Sequence, residues 1–340
     1  MNPSVNLQLL RLLGLLVLGL LGQLAAVNGG GGDSDSNSDT GAISATLSQI
    51  LPPNGESFFG KPAGRACDGR LVIDFIAEAL RLPYLSPYMD SLGTNFRHGA
   101  NFATGGSSIR KGGYSPFHLG VQIAQFMRFK SLSNRLISNS SSGEQVKAFI
   151  PDILGQLSQA IHQLYEEGAR FFWVHNTGPI GCLPYSVIYY KSKTGNLDKN
   201  GCVKPQNEVA QEFNRQLKDM VLKLRRQFPL AVFIYVDVYS AKYAIISQAK
   251  DLGFVGPMEF CCGSYYGYHI DCGKKAMVNG TLYGNPCKNP LRHISWDGIH
   301  YSQAANIQIA KKILKGKLSD PLVPIGEACH YPKSKASGSP

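Results

Sequence analysis

Asp297 and His300 stand three residues apart in the run Ser295-Trp296-Asp297-Gly298-Ile299-His300-Tyr301-Ser302. On a helical turn or in a tight loop, that spacing puts both side chains on one side, where a carboxylate can orient an imidazole. An imidazole held this way is a general base able to take the proton of a serine hydroxyl. Taken alone, Asp-x-x-His is also an ordinary helix start whose Asp caps backbone N–H groups. The chemistry therefore needs a nucleophile and oxyanion donors from elsewhere in the chain.

Two further runs provide candidates. One is Asp35-Ser36-Asn37-Ser38-Asp39-Thr40-Gly41 near the start; the other is Asn101-Phe102-Ala103-Thr104-Gly105-Gly106. With these three runs the sequence resembles the plant GDSL esterase/lipase family of the SGNH hydrolases. Members of that family carry Gly-Asp-Ser-Asn-Ser-Asp-Thr-Gly, then Asn-Phe-Ala-Ser-Gly-Gly, and finally Asp-Gly-x-His. Further matching runs are Ser57-Phe58-Phe59-Gly60-Lys61-Pro62-Ala63-Gly64-Arg65, Asp68-Gly69-Arg70-Leu71-Val72-Ile73-Asp74-Phe75 and His175-Asn176-Thr177-Gly178-Pro179-Ile180-Gly181-Cys182-Leu183-Pro184. The resemblance spans Asp35 to Cys329 and is more specific than any single motif.

Carried over residue by residue, the resemblance implies Ser36 as nucleophile, His300 as general base and Asp297 as its orienting carboxylate. It also implies that backbone N–H groups of Ser36 and Gly105 bind the oxyanion, with Gly106 as the neighbouring alternative. The reaction implied is hydrolysis of carboxylic esters through a serine acyl-enzyme. Lipids, acetylated polysaccharides and small acyl esters are all open as substrates. A serine hydroxyl is weak until a base takes its proton, and the tetrahedral oxyanion needs preorganised donors; neither requirement calls for a metal or a cofactor.

The chain also departs from the family pattern. Ser34 precedes Asp35 where the family has glycine, and a literal Gly-Asp-Ser lies two residues earlier as Gly32-Asp33-Ser34. Ser36 fits the downstream register and is preferred. Before this run the family has an apolar strand, where this chain has Asn28-Gly29-Gly30-Gly31-Gly32. Between Phe129 and Val146 it lacks the Gly-x-Asn-Asp run whose asparagine is the family's third oxyanion donor. These departures favour a rival reading, a catalytically inactive secreted relative that binds carbohydrate or a partner. Asn176 follows a different strand and is expected to fix a turn, and His175 to be a satisfied strand-end histidine.

The elements that position these residues alternate between strand and helix. Helices are predicted over Leu71–Leu80, His118–Arg128, Glu144–Glu167 with Pro151 kinking or splitting it, Asn207–Gln227, Tyr239–Ala249 and Ser302 to about Lys315. Strands are predicted at Phe171–His175 and Ala231–Val236, and a short one runs into a glycine turn at Gly99–Gly106. This alternation indicates an α/β fold with a parallel sheet covered on both faces and its sites at the carboxyl ends of strands. The resemblance makes that a three-layer, flavodoxin-like SGNH sheet lacking family strands 1 and 3.

A length of 340 residues with 44% hydrophobic content suits one large domain. Residues 1–27, with Arg11 before an apolar run and Ala25-Ala26 after it, read as a secretory signal peptide. Its apolar stretch falls short of the roughly 20 residues that cross a bilayer, so no stable membrane insertion is expected. Residues 28–331 form the single hydrolase domain and 332–340 a disordered tail. Secretion to the extracellular space or cell wall suits eight cysteines, an even count that can be wholly paired, with a disulfide-stapled loop between Cys261 and Cys287. Asn139 and Asn279 match the glycosylation acceptor pattern on exposed loops. The net charge of +11 suggests attraction to acidic polysaccharide or anionic surfaces. No basic run interleaved with aromatics supports nucleic-acid binding. A monomer acting on an ester substrate is expected.

Overall fold

The computed structural model describes residues 38–90, 96, 99–109, 115–131, 146–190, 196–265 and 270–328. The signal segment, the tail from 332 and Cys329 lie outside the described residues. Among the described residues four helices come first: α1 (Ala42–Thr46), α2 (Val72–Ala79), α3 (Leu119–Ser131) and α4 (Val146–Glu166). Strand β1 (Phe171–His175) follows, then α5 (Pro184–Tyr190), α6 (Lys204–Gln227), β2 (Val232–Val236) and α7 (Val238–Ser247). A hairpin of β3 (Ala276–Val278) and β4 (Thr281–Tyr283), then α8 (Gln303–Leu314), β5 (Ser319–Asp320) and α9 (Ile325–Ala328), complete the order.

β1 and β2 pair in parallel, Phe171 opposite Val232 and His175 opposite Val236, because α6 carries the chain back between them. β5 closes the other side of β2 antiparallel, giving the order β1-β2-β5. Side chains along a strand alternate between faces, and the two faces here feed separate cores. Phe172, Val174, Phe233 and Tyr235 pack with Ile150 to Leu164 of α4 and Phe213 to Leu224 of α6. Trp173, Val232, Ile234 and Val236 pack with apolar residues of α2, α7 and α8. Every residue of β2 is buried, as befits a strand covered on both sides.

α6 begins at Lys204, ahead of the predicted Asn207, because Pro205 fits the first turn, where its missing N–H is not needed. Its buried positions Ala210, Phe213, Asn214, Leu217, Val221 and Leu224 recur at helical spacing. α4 carries Pro151 without dividing. The strand predicted at Gly99–Gly106 does not form among the described residues. Only one parallel bridge, Pro87 to Asn101, occurs there: Asn101 N–H donates to the Ser86 carbonyl and its own carbonyl accepts the Tyr88 N–H, while its side chain holds residues 38 and 40.

Among the described residues three disulfides form, Cys182–Cys202, Cys261–Cys287 and Cys262–Cys272, so the expected stapled loop is present. One described cysteine lies outside these three bonds. Cys67 is a free buried thiol, and the other six described cysteines are already bonded to one another. Asn279 is exposed at the β3–β4 turn, where it and Gly280 both take positive φ. Among the described residues no helix is long and apolar enough to cross a membrane.

Candidate active site

The segment before α8 folds into a tight turn built on its own polar groups. Gly298, at φ 93°, supplies the left-handed residue, and a Cβ there would sit 2.7 Å from the Tyr265 ring. Ser295 Oγ accepts the Gly298 N–H at 2.9 Å, and Trp296 N–H donates to the His300 carbonyl at 2.7 Å. Ser302 then caps α8, its Oγ accepting Ala305 N–H and donating to the His293 carbonyl.

Within this turn Asp297 does two jobs. Its Oδ1 accepts the N–H of Ile299 at 3.0 Å and of His300 at 2.8 Å, the capping role that the bare Asp-x-x-His pattern suggests. Its Oδ2 meets His300 Nδ1 at 2.6 Å, the orienting role. A carboxylate on Nδ1 places the imidazole proton there and makes Nε2 the basic nitrogen. The side chains are only 24% and 14% exposed for His300 and Asp297, which shields the pair from water. Burial, and secondarily the Asp297 charge, raises the neighbouring Tyr265 hydroxyl above its ordinary range, so this phenol stays neutral.

The turn is braced from outside. Trp296 Nε1 donates to Asn54 Oδ1 at 2.9 Å, and the Trp296 carbonyl accepts the N–H groups of both Cys261 and Cys262 at 2.8 Å. Asp68 Oδ1 accepts the Gln303 N–H at 2.7 Å, fixing the first residue of α8.

Ser36, Ser34 and Asn139 lie outside the described residues. The chain just beyond Ser36 is held firmly. Asn101 Nδ2 donates to the Ser38 carbonyl and, at 2.9 Å, to Thr40 Oγ1, while Thr40 Oγ1 donates to the Leu85 carbonyl at 2.9 Å. Gly105, the expected oxyanion donor, is committed in this structure: its N–H donates to Asp39 Oδ2 at 2.6 Å. Thus the first and second runs meet through side chains to which sequence reasoning gave no role, Asp39 and Asn101. The signal was present, since both fall inside the matched runs.

Asn176 fixes the turn after β1, as expected, donating to Asp237 Oδ1 and Tyr235 and accepting the Tyr239 N–H. His175 is not the satisfied histidine expected of it. Its Nε2 is buried with no hydrogen-bond partner among the described residues, and burial, then the Lys242 charge, lowers its pKa to about 4. Cys261, Cys287 and His293 cluster within 4.8 Å, but the two sulfurs are bonded to each other and offer no thiolate to a metal.

Known proteins resemble this chain over most of its length. A family model for GDSL-like lipases/acylhydrolases matches residues 32–313. A GDSL esterase/lipase of Arabidopsis thaliana is 49% identical over 87% of this chain and 88% of its own length. Another from Zea mays is 44% identical over 87% of each. An esterase of Hevea brasiliensis is 41% identical over 88% of each. The chain therefore belongs to the plant GDSL esterase/lipase family, hydrolases that act on ester bonds.

Proposed function

We propose that this chain is a secreted serine esterase that cleaves carboxylic esters through an acyl-enzyme on Ser36. The observation that carries the reading is the 2.6 Å contact of His300 Nδ1 with Asp297 Oδ2, which leaves Nε2 as base. His300 takes the Ser36 proton as Oγ attacks the ester carbonyl. The oxyanion so formed accepts from the backbone N–H of Ser36 and of the Gly105–Gly106 turn. Because Gly105 N–H is held by Asp39, Gly106 is the donor of this turn that we favour. Collapse of the intermediate expels the alcohol, which takes its proton from His300. Water, deprotonated by the same imidazole, then attacks the acyl group, and Ser36 leaves with the proton restored.

The two cores on opposite faces of the β1-β2-β5 sheet support a three-layer SGNH arrangement for residues 28–331. Three disulfides suit an oxidising compartment reached through the signal at 1–27, and the exposed turn at Asn279 suits a glycan. The substrate is a lipid, an acetylated polysaccharide or a small acyl ester.

The full secreted chain, shown to be folded, should hydrolyse p-nitrophenyl acetate or a longer acyl ester, and Ser36→Ala and His300→Ala should abolish turnover. A rate unchanged by both substitutions would sink the triad. A second reading, an inactive relative that binds carbohydrate or a partner, is favoured by the missing Gly-x-Asn-Asp run between Phe129 and Val146 and by the glycines at 29–32. Folded wild type without turnover on any of these esters would select it.

A further inference from the structure

Asp39 is 4% exposed and carries a carboxylate whose acceptor positions are all occupied. Oδ1 accepts Gly41 N–H at 2.8 Å and Ala42 N–H at 2.6 Å. Oδ2 accepts Ile43 N–H at 3.1 Å and Gly105 N–H at 2.6 Å. Three of these bonds are local and organise the start of α1. The fourth reaches 66 positions along the chain, to the turn that follows Thr104. Capping a five-residue helix does not require that bond.

We infer that Asp39 is a positioning residue for ester hydrolysis: its carboxylate clamps Gly41, Ala42 and Ile43 to the Gly105–Gly106 turn, so that the N–H groups of that turn keep one fixed orientation. The inference rests on the esterase reading above. Three further bonds support the same junction, since Asn101 holds Ser38 and Thr40 on one side and accepts Ala103 N–H at 3.0 Å on the other. The clamp also explains two glycines. A Cβ on Gly105 would lie 3.3 Å from Asp39 Oδ2 and 3.4 Å from Ile43 Cδ1. A Cβ on Gly64 would lie 2.6 Å from Gly41 Cα and 2.7 Å from the Thr40 carbonyl, so the backbone beneath the run can come no closer.

Burial raises the Asp39 pKa although its four N–H partners pull it down, so this carboxylate is kept at a cost in stability. A group that only closed a helix end would gain more as an exposed serine or asparagine cap. Fixing Gly105 N–H fixes the Thr104–Gly105 peptide plane at the entry to the turn, and a displacement of 1 Å at such a site can cost about 100-fold in rate.

The test compares full-length wild type with Asp39→Asn and Gly105→Ala, which loosen the same contact from opposite sides. In Asp39→Asn, kcat on p-nitrophenyl acetate should fall roughly 10- to 100-fold with KM changed less than about threefold. Hydrogen exchange in the peptide spanning Ala103 to Ser107 should rise in both variants, with exchange in β1 and β2 unchanged. A purely structural Asp39 would lower the unfolding midpoint but leave kcat of the folded enzyme intact, and that result overturns the proposal. If Asp39→Asn fails to fold, Gly105→Ala decides on the same readouts. Wild type without turnover would defeat the esterase reading and the catalytic role of the clamp together. Turnover lost in Ser36→Ala but kept in Asp39→Asn would defeat the clamp alone. Exchange unchanged in both variants also overturns it.

Discussion

Trp296 Nε1 donates to Asn54 Oδ1 at 2.9 Å, tying the residue beside Asp297 to a loop 242 positions earlier in the chain. Trp296 is 1% exposed and Asn54 5%, so water cannot replace either partner. Asn54→Ala would leave the indole N–H buried and unsatisfied, a loss of about 1–3 kcal/mol. Urea unfolding should show that loss, and kcat should fall with it because the Asp297 turn has lost one wall.

Asp297→Asn separates the two jobs of this residue. The amide oxygen can keep the N–H groups of Ile299 and His300, while the NH₂ faces Nδ1 and drives the imidazole proton to Nε2. Activity should drop on the order of 10²- to 10⁴-fold, with KM and the unfolding midpoint little changed. Steady-state kinetics beside thermal unfolding checks this, and a large stability loss with intact kcat would assign Asp297 to capping only.

The Cys262–Cys272 bridge closes a loop of sequence separation 10, and Cys262 N–H bonds the Trp296 carbonyl. Cys262→Ser with Cys272→Ser should cost about 2–4 kcal/mol of stability. Turnover of the folded double variant should fall as well, because the backing of the Asp297 turn is loosened.

His175 gives the protein a defined acid sensitivity. Its folded pKa is lowered from 6.5 to about 4, so between those values the unfolded chain takes up a proton that the folded chain refuses. This contribution to stability is whole above pH 6.5 and is lost as pH falls towards about 4. Urea midpoints measured across that window should decline in wild type, and the slope should be shallower in His175→Gln.

Much of this was legible in the sequence because local pattern and structure agree. Phe171–His175 and Ala231–Val236 read as strands from continuous apolar runs, and they pair side by side. Asp297 and His300 were legible because residues three apart in a turn need no long-range information to meet. The link from Asp39 to Gly105 was not, since it depends on two loops 66 positions apart folding against each other. Gly99–Gly106 misled for a related reason: its apolar residues suggest a strand, but a ladder needs a partner segment, and here the pairing stops at the single bridge from Asn101 to Pro87. Cys67 escaped as well, since an even cysteine count says nothing about which thiol is enclosed beside α8.

The central claim, that Ser36 is activated by the His300–Asp297 pair, is tested most directly by covalent labelling. The folded full-length chain is treated with a fluorophosphonate ester and its peptides are sequenced by mass spectrometry. The account predicts one phosphonyl adduct on Ser36 in wild type and none in His300→Ala. An adduct on Ser34, or a chain that turns over ester while Ser36 stays unlabelled, would contradict it.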